Sequence, residues 1–298
     1  MRRSNRPQLK EEATSRRSKK LVTRLLDIVE RRVDKKVVPL RTNIHPTAIV
    51  HPNARLGAGV QIGPYAIIGE NVEIGDETQV GPHCVIEGWT CIGKRNRIYT
   101  GAVVGNEPQD LKFRGEKSYL FIGDNNLIRE YASISRGTAG GGGETRLGNN
   151  NLIMSYVHVA HDVQMGSHVV VGHGSGIAGH VTIEDRVIIG GIVGVHQFSK
   201  IGRLAMLGAH SMITKDVPPY TLVDGNPAKA FGPNIVGLRR NGYSPEVRLE
   251  IQRALRILYR TGYSVSKAIE VMEQELAGCQ EIDHFIRFLR SCDRGICR

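Results

Sequence analysis

Residues 62–75 read Ile62-Gly63-Pro64-Tyr65-Ala66-Ile67-Ile68-Gly69-Glu70-Asn71-Val72-Glu73-Ile74-Gly75. An aliphatic residue returns at every sixth position of this stretch, and a glycine follows it each time. The spacing extends back to Ile44 and forward to Val104, resumes at Ile122, and runs from Leu147 to Ile213, which gives 26 hexads. Hexapeptide repeats are typical of a parallel β-helix, in which each hexad supplies one short strand and a corner. Three hexads complete one coil, so the sequence predicts about nine coils with stacked aliphatic side chains inside.

Two segments interrupt the repeat. The first lies between Val104 and Ile122 and spans three hexads without showing their pattern. The second covers residues 138–146, contains four consecutive glycines and shifts the phase of the repeat by one residue. Both interruptions are predicted to be loops inserted into the β-helix.

The chain divides into three predicted parts. Residues 1–41 form a basic extension in which one short amphipathic helix is expected, because apolar residues recur at helical spacing between Leu21 and Val33. The β-helix with its inserted loops is expected over residues 42–217. Residues 218–298 are predicted to hold an irregular connector over 220–243 and a C-terminal α-helical domain that starts at Ser244-Pro245-Glu246. Further helices are expected around residues 264–277 and 281–291.

Charge and cysteine content narrow the class of protein. The formal net charge is +11, but residues 1–41 carry 14 Lys and Arg against 5 Asp and Glu, so the body is nearly neutral and no nucleic-acid partner is expected.

Two interpretations of the extension stay open, namely peripheral contact with an anionic membrane or a partner, and a solvated appendage. The five cysteines show no metal-binding spacing, which favours a reduced cytoplasmic protein. No apolar run reaches the roughly 18 residues of a membrane span.

One stretch departs from the bland repeat, and it reads Val157-His158-Val159-Ala160-His161-Asp162. It places two histidines and a carboxylate on one coil. Gly179 follows His161 by the length of one coil, so we expect it directly above His161 in the next coil.

A series of motifs makes the resemblance to a family specific. The motifs occur in this order: Gln109-Asp110-Leu111-Lys112, Arg136-Gly137-Thr138, His158-x-x-His161-Asp162, Gly179-His180, His196-Gln197-Phe198, Asp216-Val217-Pro218-Pro219-Tyr220 and Asn234-Ile235-x-Gly237-Leu238. With these motifs, residues 42–298 resemble the UDP-N-acetylglucosamine acyltransferases of lipid A biosynthesis, within the hexapeptide-repeat acyltransferases. The resemblance implies a mainly β fold, a left-handed parallel β-helix followed by helices. It also implies a homotrimer with active sites between neighbouring subunits.

The resemblance implies a reaction as well. An (R)-3-hydroxyacyl chain passes from the phosphopantetheine of acyl carrier protein to the glucosamine 3-hydroxyl of UDP-N-acetylglucosamine, with no metal and no other cofactor. Attack by a hydroxyl on a thioester needs a base with a pKa near neutrality, which suits His161. Asp162 is expected to orient or support the imidazole, and the Gly179 N–H to stabilise the developing oxyanion.

Further positions are carried over from the family one at a time. Ala209 matches the position that closes the acyl channel and sets the chain length. The expected substrate-binding residues are Asp110, Lys112, His158, His180, His196, Gln197, Asn234 and Arg240, with Asn234 and Arg240 on the uridine diphosphate. Val236 and Asn241 depart from the family, which often has an acidic residue at the first position and a basic residue at the second.

Three alternatives stay open at this point. A related enzyme acylates a 3-amino sugar. A zinc hydratase of the gamma carbonic anhydrase type shares this helix and binds zinc through three histidines between subunits, for which His158, His161 and His180 are candidate ligands. A non-catalytic β-helix scaffold would need none of these side chains for its function.

Overall fold

The computed structural model describes residues 41–298. The amphipathic helix expected in the basic extension lies outside these residues. The described chain winds through three sheets in the order A, B, C, and then returns to A.

Each sheet is a ladder of short strands, one from each coil. Sheet A contains the strands Asn43–Ile44, Gln61–Ile62, Gln79–Val80, Arg97–Ile98, Leu127–Ile128, Leu152–Ile153, Val170–Val171, Ile188–Ile189, Met206–Leu207, Thr221–Asp224 and Lys229–Pro233. Sheet B contains Ile49–Val50, Ile67–Ile68, Val85–Ile86, Val103–Asn106, Ser133–Ser135, His158–Val159, Gly176–Ile177, Gly194–Val195 and Met212–Ile213. Sheet C contains Arg55–Leu56, Val72–Ile74, Trp89–Ile92, Tyr119–Ile122, Glu144–Leu147, Gln164–Met165, Thr182–Ile183 and Lys200–Ile201.

The aliphatic hexad positions form the core, as the sequence predicts. Strands pair in parallel one coil apart, for example Gln61 with Gln79 and His158 with Gly176. From Ile62 to Ile213 every inward hexad residue is at most 4% exposed. Burying one such side chain stabilises the fold by about 1.5–3 kcal/mol. Ile44 was also predicted to be inside but is 43% exposed, because among the described residues no coil lies beneath the first one.

The three corners of the coil are named here by the sheets that they join. Both inserted loops lie at the B/C corner, since each leaves a strand of sheet B and enters a strand of sheet C. The first loop runs from residue 107 to 118 and the second from 136 to 143. They belong to successive coils, and the coil after them carries His161 at the same corner.

The predicted irregular connector over residues 220–243 is wrong. Strand Thr221–Asp224 continues sheet A by pairing in parallel with Met206–Leu207, and Lys229–Pro233 folds back on it antiparallel. A short helix, α1, follows at Ile235–Arg240. These elements are fixed by pairing with the last coil rather than by a local repeat, which is why hydrophobic periodicity did not reveal them.

The predicted C-terminal helices are present. Helix α2 spans Pro245–Arg260, α3 spans Val265–Glu275, and α4 spans Gln280–Arg290. Ser244 caps α2 by accepting a hydrogen bond from the Val247 N–H at 3.3 Å. The apolar faces of these helices pack together with Leu204 and Tyr220 of the β-helix end. None of the helices in residues 41–298 combines the length and apolar character needed to cross a bilayer.

Candidate active site

The motif histidines stack at the B/C corner in consecutive coils. His161 and Asp162 occupy the corner of one coil, Gly179 and His180 the corner above, and Gln197 and Phe198 the next. The parallel pairing of sheet B fixes this order, because His158 pairs with Gly176 and Gly176 with Gly194. Both inserted loops lie at the same corner, in the two coils below.

His161 and Asp162 form a hydrogen-bonded pair. The Nδ1 atom of His161 lies 2.7 Å from Oδ2 of Asp162. A carboxylate only accepts hydrogen bonds, so this contact assigns the ring proton to Nδ1 and leaves Nε2 with a free lone pair. The Asp162 side chain is 1% exposed and that of His161 is 13% exposed. The arrangement is that of a histidine base oriented by a buried carboxylate.

Asp162 is held from below by the second inserted loop. Its Oδ1 accepts a hydrogen bond from the Thr138 N–H at 2.8 Å, and its Oδ2 accepts one from the Thr138 hydroxyl at 2.6 Å. The Asp162 N–H donates to Oγ1 of Thr145 at 2.8 Å. The residue has φ near 60°, a left-handed conformation that aspartate tolerates better than most residues.

Gly179 lies directly over the His161 ring, as the coil length predicts. A methyl group at this position would lie 2.6 Å from Cε1 and 2.8 Å from Nε2 of His161. The Gly179 carbonyl accepts a hydrogen bond from the Phe198 N–H, whereas the Gly179 N–H has no acceptor among residues 41–298. A hydrogen-bond donor is therefore available beside the face of the proposed base.

Two further histidines flank His161. The ring of His180 lies edge-on to that of His161 with centroids 5.0 Å apart, and it stacks on Phe198 at 4.5 Å. His158 accepts or donates a hydrogen bond at Nδ1 with the Ser133 hydroxyl, 2.8 Å away. Burial lowers the pKa of both His158 and His180, and His161 lowers each pKa further, while the Asp162 carboxylate opposes part of the decrease at His180. The lowered pKa favours the neutral form of both rings, in which each ring offers one N–H and one lone pair.

Asp110 and Lys112 lie in the first inserted loop. The Lys112 N–H donates to Oδ1 of Asp110 at 2.9 Å, and the charges of both side chains act on the pKa of His180. The loop is braced by Arg136, which is 6% exposed and donates to the Gly105 carbonyl at 3.1 Å. The Arg136 guanidinium also lies 5.3 Å from the ring centre of Phe113 within the loop. The structure thus brings the predicted loop residues to the corner that carries His161.

His196 and Gln197 lie on the coil above Gly179. Gln197 is exposed in the corner position directly above Gly179. His196 is half-buried, and the Arg294 guanidinium lies 3.3 Å from its Nδ1 atom. The last residues of the chain therefore reach this end of the histidine stack.

Asn234 has a structural position that the sequence did not predict. It is 5% exposed and caps α1, where its Oδ1 accepts from the Gly237 N–H at 2.9 Å. Its Nδ2 donates to the Leu204 carbonyl at 2.9 Å. Both ends of the amide are thus engaged within the chain, so Asn234 fixes the helix that carries Arg240. A contact of Asn234 with uridine diphosphate stays a prediction.

A guanidinium that the sequence reading missed lies at the end of α1. Arg186, at the C/A corner, donates to Oδ1 of Asn241 at 2.6 Å. Asn241 in turn donates from Nδ2 to the Gly237 carbonyl at 2.9 Å. Arg240 is exposed on the same helix end. Position 241 itself is an uncharged asparagine, but the Arg186 guanidinium places a positive charge beside it.

The predicted site residues do not all meet within one chain. His161 lies at the B/C corner, Arg186 and the end of α1 at the C/A corner, and Ala209 is exposed at the A/B corner. Each pair of corners is separated by the width of a sheet. One copy of the chain therefore assembles only part of the predicted site.

The zinc alternative is not completed within one chain. Within residues 41–298, the group of ligand-type atoms lying within 4.8 Å of one another comprises His161, Asp162 and His180, and it does not include His158. The Asp162 oxygens already accept hydrogen bonds from Thr138 and His161. Within one chain this group therefore contains two histidines rather than three.

Comparisons with known proteins agree with the sequence motifs. A family profile described as "Udp N-acetylglucosamine O-acyltransferase; Domain 2" matches residues 216–297, and one described as "Bacterial transferase hexapeptide (six repeats)" matches residues 41–76 and 144–179. The acyl-[acyl-carrier-protein]–UDP-N-acetylglucosamine O-acyltransferase of Myxococcus xanthus is 49% identical over 255 residues, which cover 86% of this chain and 99% of the relative. The Xylella fastidiosa protein of the same name is 44% identical over 86% of this chain and 97% of its own length.

Solved structures of UDP-N-acetylglucosamine acyltransferases also resemble this chain. The UDP-N-acetylglucosamine acyltransferase of Francisella novicida superposes with a TM-score of 0.84 at 40% identity, covering 86% of this chain and 94% of that one. The enzyme of Bacteroides fragilis superposes with a TM-score of 0.84 at 44% identity, covering 86% and 100%. The predicted fold class, a mainly β, left-handed parallel β-helix of hexapeptide repeats with C-terminal helices, is confirmed. The chain belongs to the acyl-[acyl-carrier-protein]–UDP-N-acetylglucosamine O-acyltransferase family.

Proposed function

We propose that this chain transfers an (R)-3-hydroxyacyl chain from acyl carrier protein to the glucosamine 3-hydroxyl of UDP-N-acetylglucosamine, the first step of lipid A biosynthesis. The observation that carries the proposal is the His161–Asp162 pair with the Gly179 N–H beside it. Family membership supplies the reaction class. The 3-amino-sugar alternative is not favoured, because the relatives are named O-acyltransferases.

In the proposed mechanism, His161 is the general base. With its Nδ1 proton directed at Asp162, the Nε2 lone pair accepts the proton of the sugar 3-hydroxyl as the oxygen attacks the thioester carbon. The carbonyl oxygen becomes an oxyanion that accepts a hydrogen bond from the Gly179 N–H. Collapse of this intermediate breaks the C–S bond, and the leaving thiolate takes the proton from the imidazolium of His161. Asp162 stabilises that imidazolium while it exists.

The neighbouring residues orient the two substrates. Burial favours the neutral form of His158 and His180, and both rings supply N–H donors to the sugar or the acyl group. Asp110 and Lys112 of the first loop cover the sugar nucleotide, with His196 and Gln197 on the opposite side of Gly179. Ala209 closes the acyl channel.

The diphosphate is bound by Arg240 together with Arg186. Guanidinium groups suit phosphate oxygens because they donate paired hydrogen bonds with fixed geometry. The hydrogen bond to Asn241 holds Arg186 at the end of α1. The basic residue absent from position 241 is thereby replaced by one from the β-helix.

The proposed assembly is a cytoplasmic homotrimer. The proposal is supported by the separation of His161, the end of α1 and Ala209 on three different corners. A neighbouring subunit can bring a second corner next to His161. The acyl donor arrives on the phosphopantetheine of acyl carrier protein, and the chain itself uses no metal or other cofactor. The five cysteines are free thiols, which fits a reducing compartment.

A transfer assay tests the function directly. Purified protein is incubated with a series of (R)-3-hydroxyacyl carrier proteins and with UDP-N-acetylglucosamine or its 3-amino analogue. We expect transfer to the 3-hydroxyl, and we expect His161→Ala to lower kcat by about 10²–10⁴-fold, the usual contribution of a general base. His51→Ala, at an exposed histidine of the first coil, is the control. Absence of transfer with every donor and both acceptors would contradict the proposal.

Metal analysis separates the zinc alternative from the acyltransferase. Protein purified without added metal should transfer acyl groups at full rate after treatment with a chelator. Stoichiometric zinc together with loss of activity on chelation would favour the hydratase. A scaffold would tolerate His161→Ala without any loss of function.

A further inference from the structure

The Asp162 carboxylate is enclosed by the second inserted loop. Thr138 donates to it twice, from its N–H to Oδ1 at 2.8 Å and from its hydroxyl to Oδ2 at 2.6 Å. Oδ2 is also the atom that accepts the hydrogen bond of His161 Nδ1. One oxygen of Asp162 therefore joins the Thr138 hydroxyl to the imidazole of the proposed base.

The loop is built to hold Thr138 in this position. Thr138 is 5% exposed, and its carbonyl accepts hydrogen bonds from the Gly141 N–H at 3.1 Å and the Gly143 N–H at 2.8 Å. These bonds close a tight turn over Ala139–Gly141. A methyl group at Gly141 would lie 2.0 Å from Cγ of Asp162, so only glycine permits the turn to pack on the carboxylate. The glycine run, which the sequence showed only as a phase shift, thus allows close packing against Asp162.

The two donors also fix which way the carboxylate faces. A carboxylate with one neighbour can rotate about its Cβ–Cγ bond and present either oxygen, which would move the imidazole with it. Here the two Thr138 donors engage different oxygens, so the plane of the carboxylate is fixed. Buried carboxylates need such donors, because burial without hydrogen bonds disfavours the charged form.

We propose that Thr138 is a positioning residue that acts through Asp162, forming a Thr138–Asp162–His161 relay that aims Nε2 of His161 at the sugar hydroxyl. The relay rests on the proposed function, since His161 must be the base. Thr138 itself contacts no substrate in this scheme. Its hydroxyl matters, whereas its methyl group does not.

Two substitutions at this position separate the hydroxyl from the shape of the side chain. Thr138→Val has the same shape without the hydroxyl, and we expect kcat to fall by about tenfold to a hundredfold, as small misplacements of a catalytic group do. KM for both substrates should stay within twofold. Thr138→Ser keeps the hydroxyl and should retain kcat within about threefold. If Thr138→Val does not fold, Thr138→Ala removes the same hydroxyl with less disturbance.

A double mutant tests whether the effect passes through Asp162. In an Asp162→Ala background, adding Thr138→Val should cause no further loss of kcat, because the intermediary is gone. An additive loss would show a general structural role and overturn the relay. So would a Thr138→Val enzyme with kcat within twofold of wild type.

A spectroscopic readout covers variants that are too slow to assay. A histidine N–H donating to a carboxylate gives a proton resonance far downfield, and we expect this signal of His161 to weaken or exchange faster in Thr138→Val but not in Thr138→Ser. An unchanged signal would overturn the relay. If wild-type protein transfers no acyl group at all, it is the proposed function that fails.

Discussion

At the scale of single residues, the important feature of Gly179 is that it has no side chain. A methyl group there would overlap the His161 ring, with contacts of 2.6 Å and 2.8 Å. Real carbon atoms do not approach so closely, so either the ring or the coil above would have to move. Glycine at this position thus leaves space for the His161 ring and places the Gly179 N–H donor beside it.

Gly179→Ala should therefore lower kcat by about a hundredfold with little loss of stability, because the methyl group pushes the His161 ring away from the Gly179 N–H. Steady-state kinetics and a thermal melt measure the two effects. Gly176→Ala, three residues earlier on the same coil, is the matched control, since a methyl group there meets no atom of the described residues within 4 Å. Equal kcat for both variants would contradict the role given to Gly179.

Part of the site could be predicted from the sequence at this scale, and part could not. The stacking of Gly179 over His161 follows from the coil length alone, because parallel pairing one coil apart is exact. The Arg186–Asn241 contact joins residues 55 positions apart on different elements, and no repeat relates them. Thr138 was noticed only as the end of a motif, because its partner Asp162 lies in the next coil across a phase shift.

At the scale of elements, the β-helix supplies a positive charge at the end of α1. The helix ends at Arg240, and Asn241 follows at the position where the family resemblance predicts a basic residue. The Arg186 guanidinium reaches Asn241 from the C/A corner at 2.6 Å. Helix and coil together thus place a guanidinium beside position 241.

Arg186→Ala should raise KM for UDP-N-acetylglucosamine by about tenfold, the value of one charge-assisted hydrogen bond, and leave kcat within twofold. Inhibition by UDP should weaken likewise, while inhibition by uridine should not change. Adding Asn241→Arg to this variant should restore KM.

The control for this prediction lies on the same corner. Arg95 donates to Oδ1 of Asn125 at 2.9 Å, in a contact of the same kind but in a coil far from α1. Arg95→Ala should leave KM unchanged. A similar loss of affinity for UDP and uridine in Arg186→Ala would point to the nucleoside and contradict a phosphate contact.

The strands were predictable at the element scale, whereas the segment after the repeat was not. Each hexad carries its own signal, since the inward position must be aliphatic and is buried in every coil from Ile62 onward. The strands at Thr221–Asp224 and Lys229–Pro233 carry no such period. They form because the last coil offers an unpaired edge, which is a tertiary cause that a local pattern does not contain.

At the scale of the whole molecule, the predicted site is divided among three corners. His161 and Arg240 belong to different corners, so a complete site requires two subunits in the proposed trimer. Ala209 lies at the A/B corner, so it too is separated from His161 of the same chain.

Mixed trimers test this arrangement. His161→Ala and Arg240→Ala subunits, each deficient alone at low UDP-N-acetylglucosamine, are coexpressed with different affinity tags and purified together. Every trimer recovered through both tags is mixed, and in a cyclic trimer one of its three sites then receives both intact residues, so activity should recover to about a third. If both residues acted from the same chain, no site would be intact and activity would not recover.

The pairing register beside the inserted loops has a consequence for protein engineering. Tyr119 pairs with Trp89 on one side and with Glu144 on the other, in unbroken register, although a loop enters the coil at each of two successive B/C corners. The strands that follow the loops therefore keep their register, whereas the pairing of the strands that precede them is irregular between Val104 and Asn106. We therefore expect the first loop, residues 107–118, to be exchangeable for loops from other members, whereas a replacement for the second loop must keep Thr138 and Gly141, because these residues hold Asp162 against His161.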